Sequence, residues 1–209
     1  MAESPERRTE EGFRRLIAFT DAVVAIALTL LILPLVDVVG DLTAGETVGQ
    51  VYRDHSDEVV GFLISFAVIW VLWRNHHRMM EYFRAYDRVI FDLHFVWMFT
   101  IVVLPFATAL ISGHELKGAN LMYIVVLWVS IATLIAMSLW GRRHPRLMET
   151  SPEGDAWRSA PPDLGTIVML TVAFAVTALV PNVGLWSLLL LFLAGPANAV
   201  TTRVAHARR

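Results

Sequence analysis

Long apolar runs alternate with short polar ones along this chain, and the first run sets the scale. From Leu16 to Val36 there are 21 residues and a single charge, Asp21. At about 1.5 Å per helical residue this run is long enough to cross the roughly 30 Å hydrocarbon core of a bilayer. Further apolar stretches, at about Val59 to Trp73, Val89 to Ile111, Asn120 to Trp140, Leu164 to Val180 and Val183 to Thr202, predict five more spans. The expectation is an all-α membrane protein with six transmembrane helices, forming a single domain over residues 1–209 with short tails at both ends.

The basic residues test this count independently of hydropathy. Arg7, Arg8, Arg14 and Arg15 precede the first span, and Arg74, Arg78, Arg84 and Arg88 fill the second connection. Arg142, Arg143, Arg146 and Arg158 lie in the fourth connection, and Arg203, Arg208 and Arg209 end the chain. Only Arg53 and Lys117 fall on the other side. The positive-inside rule therefore places both termini in the cytoplasm, in the cell membrane as a multi-pass protein. A missed or invented span would have scrambled this alternation.

Composition supports the same class: 56% of residues are hydrophobic, 17% are charged and seven are Trp, a balance that a soluble domain of this length would expose. The net charge of -2 carries little information here, since position relative to the spans is what counts. There is no cysteine, which excludes disulfides, thiolate metal sites and a cysteine nucleophile. No small-residue cleavage site follows the first run, so helix one is expected to stay. The connection from Asp37 to Glu58 is acidic, either a mouth that concentrates cations or an ordinary solvated loop. Pro181, Asn182 and Gly184 predict a tight external turn, and Pro145, Pro152, Pro161 and Pro162 a flexible cytoplasmic loop.

Helix one is the most informative segment. At about 100° per residue, Ile26, Thr29, Leu30 and Leu33 share a stripe, with Arg15 at its cytoplasmic end. Asp21 points roughly the opposite way. A carboxylate at that depth needs donors, because burying it alone costs at least a few kcal/mol. The inner end of helix two offers them in Trp73, Arg74, His76, His77 and Arg78. On residue types alone the apolar stripe reads as a lipid-facing or packing face, with a pore the less favoured alternative. Thr29 is expected to bond the Ala25 carbonyl one turn back. Arg15 is either a headgroup anchor or one half of an ion pair. The adjacent His76 and His77 diverge by about 100°, a poor metal pair, and Asp92 and His94 are expected at the boundary of helix three.

Arg15, Phe19, Thr20 and Asp21 match, with Thr for Ser, the RxxxFSD signature that opens helix one in the transmembrane protein 175 family of potassium channels. Trp73, His76 and His77 resemble the WxxHH ending of that family's second helix, and Leu104, Pro105 and Phe106 its LPF. The chain is thus similar to the single-repeat bacterial members over its first half. The resemblance implies a homotetramer in which helix one lines a central pore. It also implies that bulky apolar side chains replace a carbonyl filter, with Ile26 at the constriction, Leu30 and Leu33 further out and Thr29 at the position tied to selectivity. Potassium would be the permeant species, passing transiently near Ile26 and Thr29. No cofactor, catalytic residue or nucleic-acid partner is implied; the partners are further copies of the chain, membrane lipid and potassium ions. The chain departs from the pattern at Thr20 and at His94, where asparagine is common, and a histidine there can make a local network sensitive to pH.

Four apolar side chains around an axis offer no ligand to replace an ion's water. A narrow ring dewets and closes, whereas a wider one passes ions that shed water cheaply, and modest potassium selectivity is expected. Thr47, Val48, Gly49 and Gln50 echo a carbonyl filter, but no apolar pore helix precedes them and the echo is read as coincidence. The competing class is a proton-coupled secondary transporter, suggested by Asp21, Asp92, His94 and the histidine pair. Against it, no inverted repeat or paired Gly/Pro-broken helices are visible. A membrane-embedded enzyme lacks a convincing catalytic group.

Overall fold

The computed structural model describes residues 5–40, 45, 47–112, 116, 118–159, 171, 172 and 175. These residues form α1 (Pro5–Leu30), α2 (Leu33–Gly40), α3 (Val48–Asp54), α4 (Ser56–Met80), α5 (Arg88–Ser112), α6 (Ala119–Arg143) and α7 (Pro152–Ser159), with a 3₁₀ turn at Pro145–Leu147. Among the described residues, four stretches are long and apolar enough to cross a membrane: Glu10–Gly40, Ser56–Met80, Arg88–Ser112 and Ala119–Arg143. They correspond to the first four predicted spans. The predicted fifth and sixth, and the turn at Pro181, Asn182 and Gly184, lie outside the described residues.

Two boundaries differ from the expectation, each for a physical reason. Helix one is not continuous to Val36: α1 stops at Leu30 and α2 restarts at Leu33. Pro34 explains the stop, because a proline ring collides with the carbonyl four residues earlier, here that of Leu30, and supplies no N–H to it. The chain bridges the break with a turn in which the Ile32 N–H reaches the Thr29 carbonyl at 3.4 Å. Helix two runs past Trp73 to Met80, so Arg74, His76, His77 and Arg78 sit on its last turns and not in a connection. The charges ended the apolar run without ending the helix.

α5 is the central element, packing on α1, α4 and α6. Its buried positions Ile90, His94, Trp97, Ile101, Leu104 and Thr108 follow three- and four-residue steps, the spacing of one helical face. Pro105 lies inside α5 without ending it. α1 buries a matching stripe, Phe13, Leu16, Thr20, Val24 and Ala27, continued by Leu31 in the turn that follows it. A polar chain ties three helices at the opposite end of the bundle from the arginines: Thr108 donates to Ser65 Oγ at 2.7 Å, and Ser65 Oγ lies 3.1 Å from the Tyr123 hydroxyl. Satisfied polar links of this kind are tolerated in apolar surroundings and fix the register of neighbouring helices. Gly61 lets α4 approach α5 closely, since a Cβ there would strike the Ser112 side chain.

The connection that follows α4 and the segment after α6 close the arginine-rich end. Arg84 N–H donates to the Leu147 carbonyl at 3.0 Å and Glu149 N–H to that of Tyr82 at 2.8 Å, around a bridge between Phe83 and Met148. Trp157 of α7 stacks on Tyr82 at 5.0 Å and lies 4.2 Å from the Arg142 guanidinium, a cation–π contact. Asp87 caps α5 by accepting the Ile90 N–H at 3.0 Å, and its other oxygen accepts the Trp140 indole N–H at 3.0 Å. Partial burial pushes its carboxyl up, but these two donors, helped by His144 and Arg146, outweigh that and hold it below the usual value of 3.8. The predicted flexible loop after α6 is, through Ser159, an ordered cap. Pro161 and Pro162 lie outside the described residues. Thr47 to Gln50 begin α3, where the Gln50 side-chain oxygen accepts the Thr47 N–H at 2.8 Å, a helix start.

Candidate functional site

The signature residues of helix one lie on the faces that their spacing sets. Thr20 is fully buried, its hydroxyl donating to the Leu16 carbonyl at 2.8 Å and touching Met98 Sδ of α5 at 3.6 Å. Thr20 thus sits at the α1–α5 contact. Asp21, one residue on, is half-buried and accepts the Trp73 indole N–H at 2.8 Å. The expected donor set is therefore realised by Trp73. The His77 ring packs against this indole at 5.2 Å and the Trp70 ring at 5.0 Å, both tilted to it. This bond joins α1 to α4, and a charge-assisted hydrogen bond in that setting is among the stronger single contacts available.

Turning about the helix from this anchor, Phe19 is 59%, Ile26 60%, Leu30 39% and Leu33 50% exposed within the chain. Among the described residues, no helix of the chain covers this apolar stripe. Leu33 belongs to α2, beyond the break, so it is not in register with Ile26 on one continuous helix. Thr29 is exposed and donates to the Ile26 carbonyl at 2.8 Å, three residues back and not to Ala25 as expected. The tighter bond fits the last turn of a helix about to end. Arg15 is exposed and, among the described residues, has no acid partner, so the ion-pair alternative finds no support there.

The histidines part company with the sequence expectation. His76 and His94 are both fully buried, with Nε2 atoms 3.1 Å apart and rings at 84°. His94 is therefore a core residue and not a boundary residue. Asp92 stays outside, 67% exposed and 3.9 Å from Arg88. His77 points elsewhere, packing on Trp73 with Nε2 4.0 Å from Glu81. Trp97, passed over in the sequence, stacks face to face on His76 at 4.3 Å. Its position three residues after His94 on one helix face was the signal for it. No group of three or more metal-ligating side chains gathers among the described residues.

The family model described as endosomal/lysosomal potassium channel TMEM175 matches residues 15–105, the stretch from the Arg15 signature to Pro105. Over this stretch the chain is similar to the TMEM175 family. A relative named potassium channel Cha6605_3372, from Chamaesiphon minutus, is 39% identical over 116 residues, 54% of this chain and 55% of its own length. The Gallus gallus relative, named endosomal/lysosomal proton channel TMEM175, is 27% identical over 155 residues, 70% of this chain and 30% of its own. The chain thus spans about half or less of the lengths of these relatives. Among solved structures, a crystal structure of a variant of the potassium channel MtTMEM175, bound to a nanobody fusion, covers 92% of this chain and 93% of its own with a TM-score of 0.64 at 19% identity. That likeness gives the TMEM175 fold to this multi-pass membrane protein.

Proposed function

We propose that this chain is a potassium-permeable, cation-selective channel in which helix one of four copies surrounds a central pore. The constriction is apolar, formed by Ile26, with Leu30 and Leu33 beyond it and Thr29 hydroxyls able to contribute partial coordination. The reading rests above all on how α1 is held. The Asp21–Trp73 bond fixes the rotation of α1 so that its buried stripe faces α5 and α4, and the stripe containing Ile26 is left for something outside the protomer. The name of the Chamaesiphon minutus relative, a potassium channel, supports the same function. Both termini are then cytoplasmic, with the arginine-rich end of the bundle facing inward.

An apolar ring discriminates by the cost of dehydration and not by fitted ligands. Potassium sheds water more readily than sodium, which gives modest selectivity. A proton-coupled carrier remains the competing class, and flux in proteoliposomes separates the two. A channel dissipates a potassium gradient electrogenically with no proton gradient present, whereas a coupled carrier does not. In the same assay Ile26→Asn is expected to raise conductance and reduce potassium-over-sodium discrimination. Unchanged conductance and selectivity in that variant would remove Ile26 from the constriction.

A further inference from the structure

Hydrogen-bond bookkeeping at the buried histidine pair fixes where each proton sits. His94 Nδ1 lies 2.9 Å from the Ile90 carbonyl, which can only accept, so that nitrogen carries a hydrogen. Neutral His94 then presents a bare Nε2, and His76 Nε2, 3.1 Å away, must be the donor. This leaves His76 Nδ1 as a bare acceptor, buried and without any hydrogen-bond partner. An unpartnered polar atom in so enclosed a place calls for an account.

We propose that His76 Nδ1 is a proton-binding site in the helix core: acidification adds one proton there, and the resulting imidazolium keeps its Nε2–H on His94 and its ring on Trp97. The neutral pair needs no rearrangement to accept the proton, because both existing hydrogen bonds persist. Trp97 supplies the compensation for the charge. Its indole face is 10° from parallel with the His76 ring and 4.3 Å away, the geometry in which an aromatic face attracts a cation. The titratable and charged neighbours are few. α5 contributes His94, α4 contributes the adjacent His77 with its Glu81 contact, and α1 contributes Asp21, gripped by Trp73 one turn before His76. The inward stretch of α6 from Ser130 to Met137 contains no titratable group. Charge on His76 therefore appears one helical turn from the link that anchors α1. The site exists whether or not ions cross the protein, so it stands or falls separately from the channel reading.

The test is nitrogen NMR of the full chain, labelled with ¹⁵N-histidine and held in lipid nanodiscs, titrated from about pH 8 to about pH 4. At the alkaline end His94 is expected as the Nδ1–H tautomer and His76 as the Nε2–H tautomer. On acidification His76 Nδ1 gains a proton while His94 keeps its tautomer, and H76Q, which assigns the signal, loses this transition. Trp97→Phe, which retains a weaker aromatic face, lowers the midpoint by about half a pH unit. A His76 Nδ1 that never protonates in this range, or a His94 that titrates first, overturns the site. An unmoved midpoint in Trp97→Phe overturns the role of the stacked indole.

Discussion

Replacing Trp73 by Phe removes the indole N–H that holds Asp21 while leaving an aromatic ring in place. The bond lost is 2.8 Å long and ends on a half-buried carboxylate. Hydrogen bonds to charged groups contribute about 1.5–3 kcal/mol. The smaller ring also gives up part of the packing against Trp70 and His77, adding about 1 kcal/mol. Trp73→Phe is therefore expected to cost roughly 2.5–4 kcal/mol of unfolding free energy. Asp21→Asn keeps an acceptor oxygen but gives up the charge, and a neutral bond is about half as strong, so its cost is about 1 kcal/mol. The decisive measurement is the double-variant cycle, followed by circular dichroism during unfolding in mild detergent. In the Trp73→Phe background Asp21→Asn is expected to cost almost nothing, since its partner is already gone. Equal costs for Asp21→Asn in both backgrounds would refute the anchor.

Asp21→Ala is expected to reduce assembly and folding yield and not conduction alone, read by the mass of the solubilised particle; normal assemblies with normal currents would contradict this. Gly141→Ala drives a methyl into the Phe83 ring at Cζ and Cε1 and to 3.1 Å from Met148 Sδ, and is expected to destabilise by about 1–3 kcal/mol in thermal unfolding. Gly49→Ala, with nothing within 4 Å of the new methyl, is expected to be neutral or slightly stabilising in the same assay. The Asp87 carboxyl is held below its ordinary 3.8 in the folded protein, so its contribution is complete above that pH and is lost as pH falls through the lower folded value. Asp87→Asn is accordingly expected to show a shallower loss of stability below pH 3.8 than the unmodified chain, and an identical acid profile would contradict the assignment.

Span existence was legible because long apolar runs and the arginine alternation are both written locally, and the four spans among the described residues appear where expected. The Asp21–Trp73 pairing was also legible, since a single acid in an apolar run narrows the search to donors at equal depth. The break at Leu31 was present in the sequence as Pro34, but hydropathy, which ignores backbone N–H groups, runs straight through it. The end of α4 was obscured for the opposite reason: charge ends an apolar run four residues or more before backbone hydrogen bonding ends a helix. The His76–His94 contact depends on the relative rotation of α4 and α5, and no local pattern encodes that. Trp97 shares a helix face with His94 three residues before it, a local signal, but that its ring covers His76 depends on the same rotation between helices.

The central claim is that the stripe containing Ile26 faces a shared aqueous path and not lipid. The chain has no cysteine, so one introduced thiol reports its surroundings without background. The direct measurement is the potassium current of Ile26→Cys in proteoliposomes before and after a charged, water-soluble methanethiosulfonate, with the buried Ala27→Cys as control. The account predicts that Cys substitution at Ile26 is modified and the current changes, while the control does not respond. A thiol in place of Ile26 that is modified only by lipid-soluble reagents, with the current untouched, would contradict it.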